Sequence, residues 1–208
     1  MADLRVVAAP AATELSPRAQ ALLRSAYRVM TQQGGHRLSL QDVADEAGVS
    51  KGMVLYYFKT KENLFLTTMR WALERTEARI RKGIDAADDP SEVVAALIDA
   101  VFVGPEQNRD FYLLYLDLVE HAARVPSFNQ LSAVAFEIIN GLYEEVIRDG
   151  VARGGFVVDD PADAAAAMRA LIEGTFLNWL QRADWKASHP RYKALCHQSL
   201  LRLLGAAA

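Results

Sequence analysis

The sequence holds one cysteine, Cys196, in 208 residues. An intrachain disulfide is therefore excluded, and this thiol usage fits a reducing compartment. No apolar run reaches the length that a bilayer demands. The opening stretch, MADLRVVAAPAATELSP, has neither a basic leader nor a sustained apolar segment, so a cytoplasmic protein without a membrane partner is expected. A glycine-rich phosphate loop and a serine elbow are both missing. The histidines, His36, His121, His189 and His197, are scattered, and none stands at metal-ligand spacing with cysteine. These gaps remove the usual routes to catalysis, and no enzyme, cofactor or metal site is expected. Asp117 and His121, at i and i+4, are the one pair whose spacing suits a metal or an acid/base couple. Strand-like alternation of useful length is lacking too, which leaves an all-α chain. The formal net charge of −3 excludes a protein coated in positive charge.

That average conceals an asymmetry. Residues 16–61 carry seven Lys and Arg against three acids, a net of +4, whereas residues 62–208 carry fifteen against 21, a net of −6. A basic head on an acidic body is the pattern expected when only the head meets a polyanion. Residues 1–15, rich in alanine and proline, read as a flexible arm. Ser16 followed by Pro17 reads as an N-cap with proline at the first helical position. Ala19, Leu22, Leu23, Ala26, Tyr27 and Met30 then recur at helical spacing until Gly34-Gly35. Ser39 opens a second, two-turn helix with Asp42 three residues on. A third helix spans about Ser50 to Tyr57. Thr60 caps a fourth that runs to about Gly83, with Leu64, Phe65, Thr68, Met69, Ala72 and Thr76 along one side. Five further helical segments follow, the last beginning at His189-Pro190, which makes about nine helices. Three belong to a head over 16–61 and six to a body over 62–208, the fourth joining the two.

Two short helices around Ala47-Gly48-Val49, with the small Ala44 four positions before the glycine, have the geometry of a helix-turn-helix. The small side chain permits close approach, and glycine accepts a backbone conformation that a Cβ penalises. The second helix then fits the major groove. Lys51, Tyr56, Tyr57, Lys59 and Lys61 lie where that helix ends and the next begins, so hydroxyls, ammonium groups and a helix N-terminus are available to phosphates. Val43, Ala44, Val49, Val54 and Phe58 read as core. Tyr56 and Tyr57 stand between phosphate contact and packing, Ser39 and Gln41 between capping and phosphate contact, and Lys51 between groove contact and solvation. Arg18 and Arg24 read as a solvated face.

Over residues 18–66, Val43-Ala44, Ala47-Gly48-Val49-Ser50, Gly52, Tyr56-Tyr57-Phe58 and Lys61-Glu62-Asn63-Leu64 resemble in order and spacing the N-terminal domain of the TetR family of bacterial transcriptional regulators. Ser50-Lys51-Gly52 and FKTKENLF are most similar to multidrug-responsive members such as QacR. The resemblance implies a double-stranded DNA operator contacted by Ser39, Gln41, Ser50, Lys51, Gly52, Met53, Leu55, Tyr56, Tyr57, Lys59 and Lys61. Met53 stands where many members have Thr or Asn, and Leu55 where many have the first of two tyrosines. Polar contacts made there in relatives are lost here or moved to Tyr56 and Tyr57.

The resemblance also implies a body that binds a small effector and pairs two chains. Phe102, Phe111, Tyr112, Tyr115, Leu118, Phe136, Tyr143, Phe176 and Trp179 suit an apolar cavity, with Asp117, His121, Asn140 and Glu173 as polar groups among them. The same aromatic spacing also suits plain core. The expected effector is apolar or aromatic, and cationic where a carboxylate turns inward. A dimer seam is expected from Ala164, Ala167, Met168, Leu171, Thr175 and Asn178 on one helix and Tyr192, Leu195, Cys196, Ser199, Leu200 and Leu203 on the other. Two-fold pairing sets the recognition helices one DNA turn, ~34–36 Å, or a multiple apart, and so demands a near-palindromic operator. The function expected is a homodimeric, ligand-responsive regulator, a repressor released by its effector. The alternative is a helical carrier or adaptor that has lost operator recognition.

Overall fold

The computed structural model describes residues 14–206 apart from 88 and 125, without the side chains of 36 and 126–136. Among the described residues the chain forms nine α-helices, one 3-10 turn over Gly35–Arg37 and no strand. The helices are α1 (Pro17–Gln33), α2 (Leu40–Ala47), α3 (Lys51–Phe58), α4 (Lys61–Ile84), α5 (Pro90–Val101), α6 (Pro105–Arg124), α7 (Pro126–Ala152), α8 (Pro161–Leu180) and α9 (Trp185–Leu203). No helix among the described residues is long and apolar enough to cross a membrane. The arm expected before residue 16 lies outside the described residues except for Glu14 and Leu15, and Leu15 already packs against core.

Punctuation decides where most helices start. Pro17, Pro90, Pro105, Pro126 and Pro161 each occupy the first helical position, where the missing N–H forfeits no intrahelical bond. Hydroxyls and carboxylates cap the N-termini. The Ser16 Oγ accepts from the Ala19 N–H at 3.2 Å, Ser39 from Asp42 at 3.1 Å, Ser50 from Met53 at 3.3 Å and Thr60 from Asn63 at 3.0 Å. The Asp160 carboxylate accepts from Ala162 at 2.7 Å. The turn after α2 rests on Gly48, whose φ of +64° and ψ of 37° are left-handed, a conformation that glycine adopts without a Cβ penalty.

The helices fall into two compact units, divided elsewhere than at residue 61. Among the described residues, one comprises those up to 74 and those of 110–135, the other those of 75–109 and those from 136 on. Helices α4, α6 and α7 thus contribute residues to both. In the first unit α1, α2 and α3 enclose Leu22, Leu23, Met30, Val43, Val54 and Phe58, joined by Leu64, Met69, Leu114 and Leu118. Residues 64–69 of α4 are buried in unbroken succession, so this part of α4 is surrounded instead of presenting the single apolar side that its periodicity suggests. In the second unit α9 packs on α8 and α5.

The last helix begins at Trp185, four residues before the expected start at His189. Pro190 sits inside it, where its ring removes one backbone donor. Other groups secure that first turn. The Ser188 N–H donates to the Asp184 carbonyl at 2.9 Å, and the Trp179 indole N–H donates to the Trp185 carbonyl at 2.6 Å.

Candidate nucleic-acid interface

Helix α3 has a core side and an open side. Val54 and Phe58 are buried, while Lys51, Gly52, Leu55, Tyr56 and Lys59 are exposed. Their three- and four-residue spacing gathers them on one outward face. Tyr56 is 70% exposed, a high value for an aromatic side chain. Tyr57 is half-buried against the core and meets the Tyr56 ring edge to face at 5.2 Å. The Lys59 ammonium stands 5.1 Å over the Tyr56 ring. Met53 is half-buried, and Ser50 is exposed at the helix start, where its hydroxyl caps α3.

The electrostatics favour the same face. All three acids of residues 16–61 are engaged elsewhere: Asp42 accepts from the Ser39 hydroxyl at 2.7 Å, Asp45 from the Gln41 amide at 2.8 Å, and Glu46 pairs with Arg28 at 2.7 Å. Positive charge on the α3 side is left uncancelled by them. Ser39 is committed to capping α2, while Gln41 is exposed and tied to its own helix. Lys61, at the start of α4, is half-buried.

The structure adds a residue that the sequence pattern assigns to a solvated face. The Arg18 Nε–H donates to the Met53 thioether at 3.2 Å. Arg18, Ser50, Met53, Tyr56 and Tyr57 line one open concavity. Helical periodicity within α1 could not reveal this, because the partner is 35 positions away.

The residues expected around an effector divide between the two units. In the first, Phe111 stacks on Tyr115 with centroids 6.3 Å apart, Tyr112 meets both rings edge-on, and Leu118 is core. Asp117 accepts the Gly35 N–H at 2.8 Å. With His121 it lines a recess completed by Gly35, Lys61, Glu62, Phe65 and Glu120. In the second unit Phe102 stacks on Phe176 at 4.3 Å, and Trp179 packs edge-on to Phe176. Tyr143 is buried, the Asn140 Oδ1 is buried with no hydrogen-bond partner among the described residues, and Glu173 pairs with Arg169 at 2.6 Å. The side chain of Phe136 lies outside the described residues. Among the described residues no group of three or more His, Cys, Asp or Glu side chains is placed to hold a metal.

A family model of bacterial regulatory proteins, tetR family, matches residues 22–68. A second model, described as BetI-type transcriptional repressor, C-terminal, matches residues 90–205, more than half of the chain. The chain belongs to the TetR family. It is a helix-turn-helix transcriptional repressor, not an enzyme. The KstR2 repressor of Mycolicibacterium smegmatis is 26% identical over 146 residues, 70% of this chain and 71% of that protein. The BetI regulator of Brucella canis is 29% identical over 119 residues, 57% and 60% of the two chains. A TetR-family regulator from a Rhodococcus species has the same fold, with a TM-score of 0.79 at 22% identity over 91% of this chain and 100% of its own. A regulator from Saccharomonospora viridis, solved in complex with choline, aligns with a TM-score of 0.76 at 21% identity over 90% and 97%. At these identities the two structures establish the fold alone. The multidrug-responsive likeness of the head gains no support from these relatives.

Within this TetR-family chain the expected dimer seam needs correcting at three positions. Met168, Cys196 and Leu200 are fully buried in the single chain, in the unit where α8 packs on α9, so they face inward instead of toward a partner. Burial pushes the Cys196 thiol up to about 12, which makes it an inert core group. Ala164, Leu171, Thr175, Tyr192, Ser199 and Leu203 are half-buried, and Ala167, Asn178 and Leu195 are exposed. Ala170, Gly174 and Leu177 continue the accessible α8 stripe at helical spacing from Ala167. Apolarity alone cannot separate the inner face of α8, with Ala165, Met168 and Ile172, from its outer one, with Ala167, Ala170 and Leu177, since both carry apolar side chains at helical spacing.

Proposed function

We propose that this TetR-family repressor acts as a homodimer in the cytoplasm, binds a near-palindromic operator through α3, and leaves it when a small effector occupies the body. The observation that carries the reading is the outward face of α3, where Lys51, Gly52, Leu55, Tyr56 and Lys59 stand together with no acidic partner among the described residues. Lysines and tyrosine hydroxyls there supply phosphate contacts, and Lys51 near the helix start reaches base edges. Pairing through the accessible stripe of α8 and the exposed Leu195 of α9 would present two such faces to successive major grooves.

The effector is apolar or aromatic in part. Choline is the first ligand to try because the regulator from Saccharomonospora viridis was solved with it. Occupancy would act through its differential affinity for two arrangements of the paired heads. Helices α4, α6 and α7, with residues in both units, are the covalent routes by which one end learns of the other.

Selection of bound duplexes from a random pool tests the reading. A recovered sequence with two inverted half-sites supports it, and so does a steep fall in affinity with salt from counterion release. Recovery of no sequence above background, together with salt-independent binding, would sink it. Titrating the selected complex with choline then tests the effector, since release at choline concentrations that leave an unrelated complex intact is the expected result.

A further inference from the structure

The first turn of α1 lies outside the helix-turn-helix, yet it shares a surface with the recognition helix. Arg18 is exposed, and its Nε–H is held by the Met53 sulfur at 3.2 Å. No other partner of its side chain is found among the described residues. A guanidinium carries five N–H donors in a planar fork. One is committed here, and the four on Nη1 and Nη2 remain. The nature of the acceptor matters as much as its place. A thioether is neutral and accepts weakly, so it orients the fork while leaving the full positive charge in place. A carboxylate in the same position would have cancelled it. Beside the guanidinium lie the Ser50 hydroxyl, at the N-terminus of α3, and the rings of Tyr56 and Tyr57. A phosphate approaching α3 meets a planar donor fork, which matches its oxygens two at a time.

We propose that Arg18 is a phosphate-gripping residue of the DNA interface, propped by Met53, so that the interface extends from α3 onto the first turn of α1. The proposal rests on the DNA-binding reading above. It also accounts for Met53: where many family members carry a polar side chain, this chain carries a prop for a cation supplied by another helix. Because phosphates carry no sequence information, Arg18 adds affinity equally to every duplex.

The experiment measures duplex binding by the full chain as salt is raised, on a random-sequence duplex and on one recovered by selection. Arg18→Ala is expected to flatten the slope of log affinity against log salt by about 0.9 for each phosphate that the guanidinium neutralises, equally on both duplexes. Arg18→Lys should restore the slope, since it keeps the charge. Met53→Leu, close in volume but without the sulfur, should weaken binding severalfold in the native chain and have no further effect beside Arg18→Ala. A native slope that survives Arg18→Ala unchanged overturns the proposal alone. Loss confined to the selected duplex overturns it as well, by making Arg18 a base reader. An independent loss from Met53→Leu in the Arg18→Ala background overturns the prop. A native chain with no salt dependence on either duplex overturns the DNA-binding reading, and this proposal with it.

Discussion

The aromatics of α3 and those of the second unit are similar in kind and opposite in circumstance. Tyr56 stands 70% exposed on a two-turn helix, whereas Phe176 and Trp179 have no exposed surface at all. Leaving a large ring in water forgoes the burial energy that would stabilise the fold, roughly 1.5–3 kcal/mol for a side chain of this kind. Tyr56 is therefore held in place by caps and neighbours for something outside the chain. Phe176 and Trp179 repay their burial in stability whether or not a ligand ever arrives. Exposure separates a residue kept for a partner from one kept for the core, and the two classes should fail differently.

The largest expected effect lies on the buried side of that contrast. Trp179→Ala removes a fully buried ring packed edge-on to Phe176 and an indole N–H bound to the Trp185 carbonyl, and should cost about 3–5 kcal/mol in urea unfolding. Lys51→Ala should do the reverse. It should leave stability within about 0.5 kcal/mol of the native chain while weakening binding to the selected duplex more than to a random one. Equal losses of stability from the two changes would break the distinction between them.

Next in size is a hydrogen bond between segments far apart in sequence. The Gly35 N–H, on a buried residue, donates to Asp117 across 82 positions of sequence. Asp117→Ala would leave that donor unpaired, at about 1–3 kcal/mol. Gly35→Ala attacks the same place by crowding, since a Cβ there would come within 2.5 Å of the Phe65 ring and 3.3 Å of the Asp117 carboxylate. The combined loss in the double variant should fall short of the sum, because both changes act on one contact. A neutral Asp117→Ala would show the hydrogen bond to be incidental, and Asp117 would return to the candidates for effector contact.

These cases show which features a single sequence exposes. Prolines and capping side chains act on their own next few residues, so Pro17, Pro90, Pro161, Ser39, Ser50 and Thr60 mark helix starts before any coordinates exist. The helix-turn-helix is legible for the same reason: Ala44, Gly48 and Ser50 are bound by spacing within one short stretch. Contacts made at a distance leave no such trace. Nothing near Asp117 announces Gly35, nothing in α1 announces Met53, and Met168 reads like any outward apolar residue until the fold buries it. Helix α9 defeats local reading at Pro190, because tryptophan and serine hydrogen bonds outside the proline's own turn support the start at Trp185.

A smaller effect concerns the end of α3. Lys59 has φ of 64° and ψ of −49°, the only non-glycine residue with positive φ among those described, and the Thr60 N–H donates to the Phe58 carbonyl at 2.7 Å. This tight turn is rare and strained for an L side chain. Lys59→Gly and Lys59→Ala both remove the ammonium, so DNA affinity should fall alike. Stability should not, and the glycine variant should exceed the alanine variant by about 1 kcal/mol. Equal stability would mean that the turn is relaxed, and that Lys59 is held there by its place over Tyr56 instead of against a backbone preference.

The smallest effect is a pH dependence placed in the buried unit. His189 is buried beside Phe102 and Trp179, and its Nε2 lies 2.9 Å from the Asn108 Oδ1. The Asn108 Nδ2 already donates to the Val101 carbonyl at 2.8 Å, so Oδ1 is the acceptor and the imidazole carries its proton on Nε2. Burial holds the His189 pKa below its ordinary value, the nearby Lys193 adds to that, and Glu106 opposes it. The unfolded chain therefore binds this proton more readily than the folded one. Stability is fully present above the unfolded value of ~6.5 and is lost as pH falls from there toward the folded pKa. His189→Gln, which keeps an N–H donor and has no charge to gain, should flatten that part of the stability profile. The pH dependence of binding to a random duplex should stay as it was, because the group lies in the body and not in the α3 face. A variant that altered the binding profile and left the stability profile alone would reverse the assignment, tying the buried aromatic cluster to DNA binding by the head instead of to its own packing.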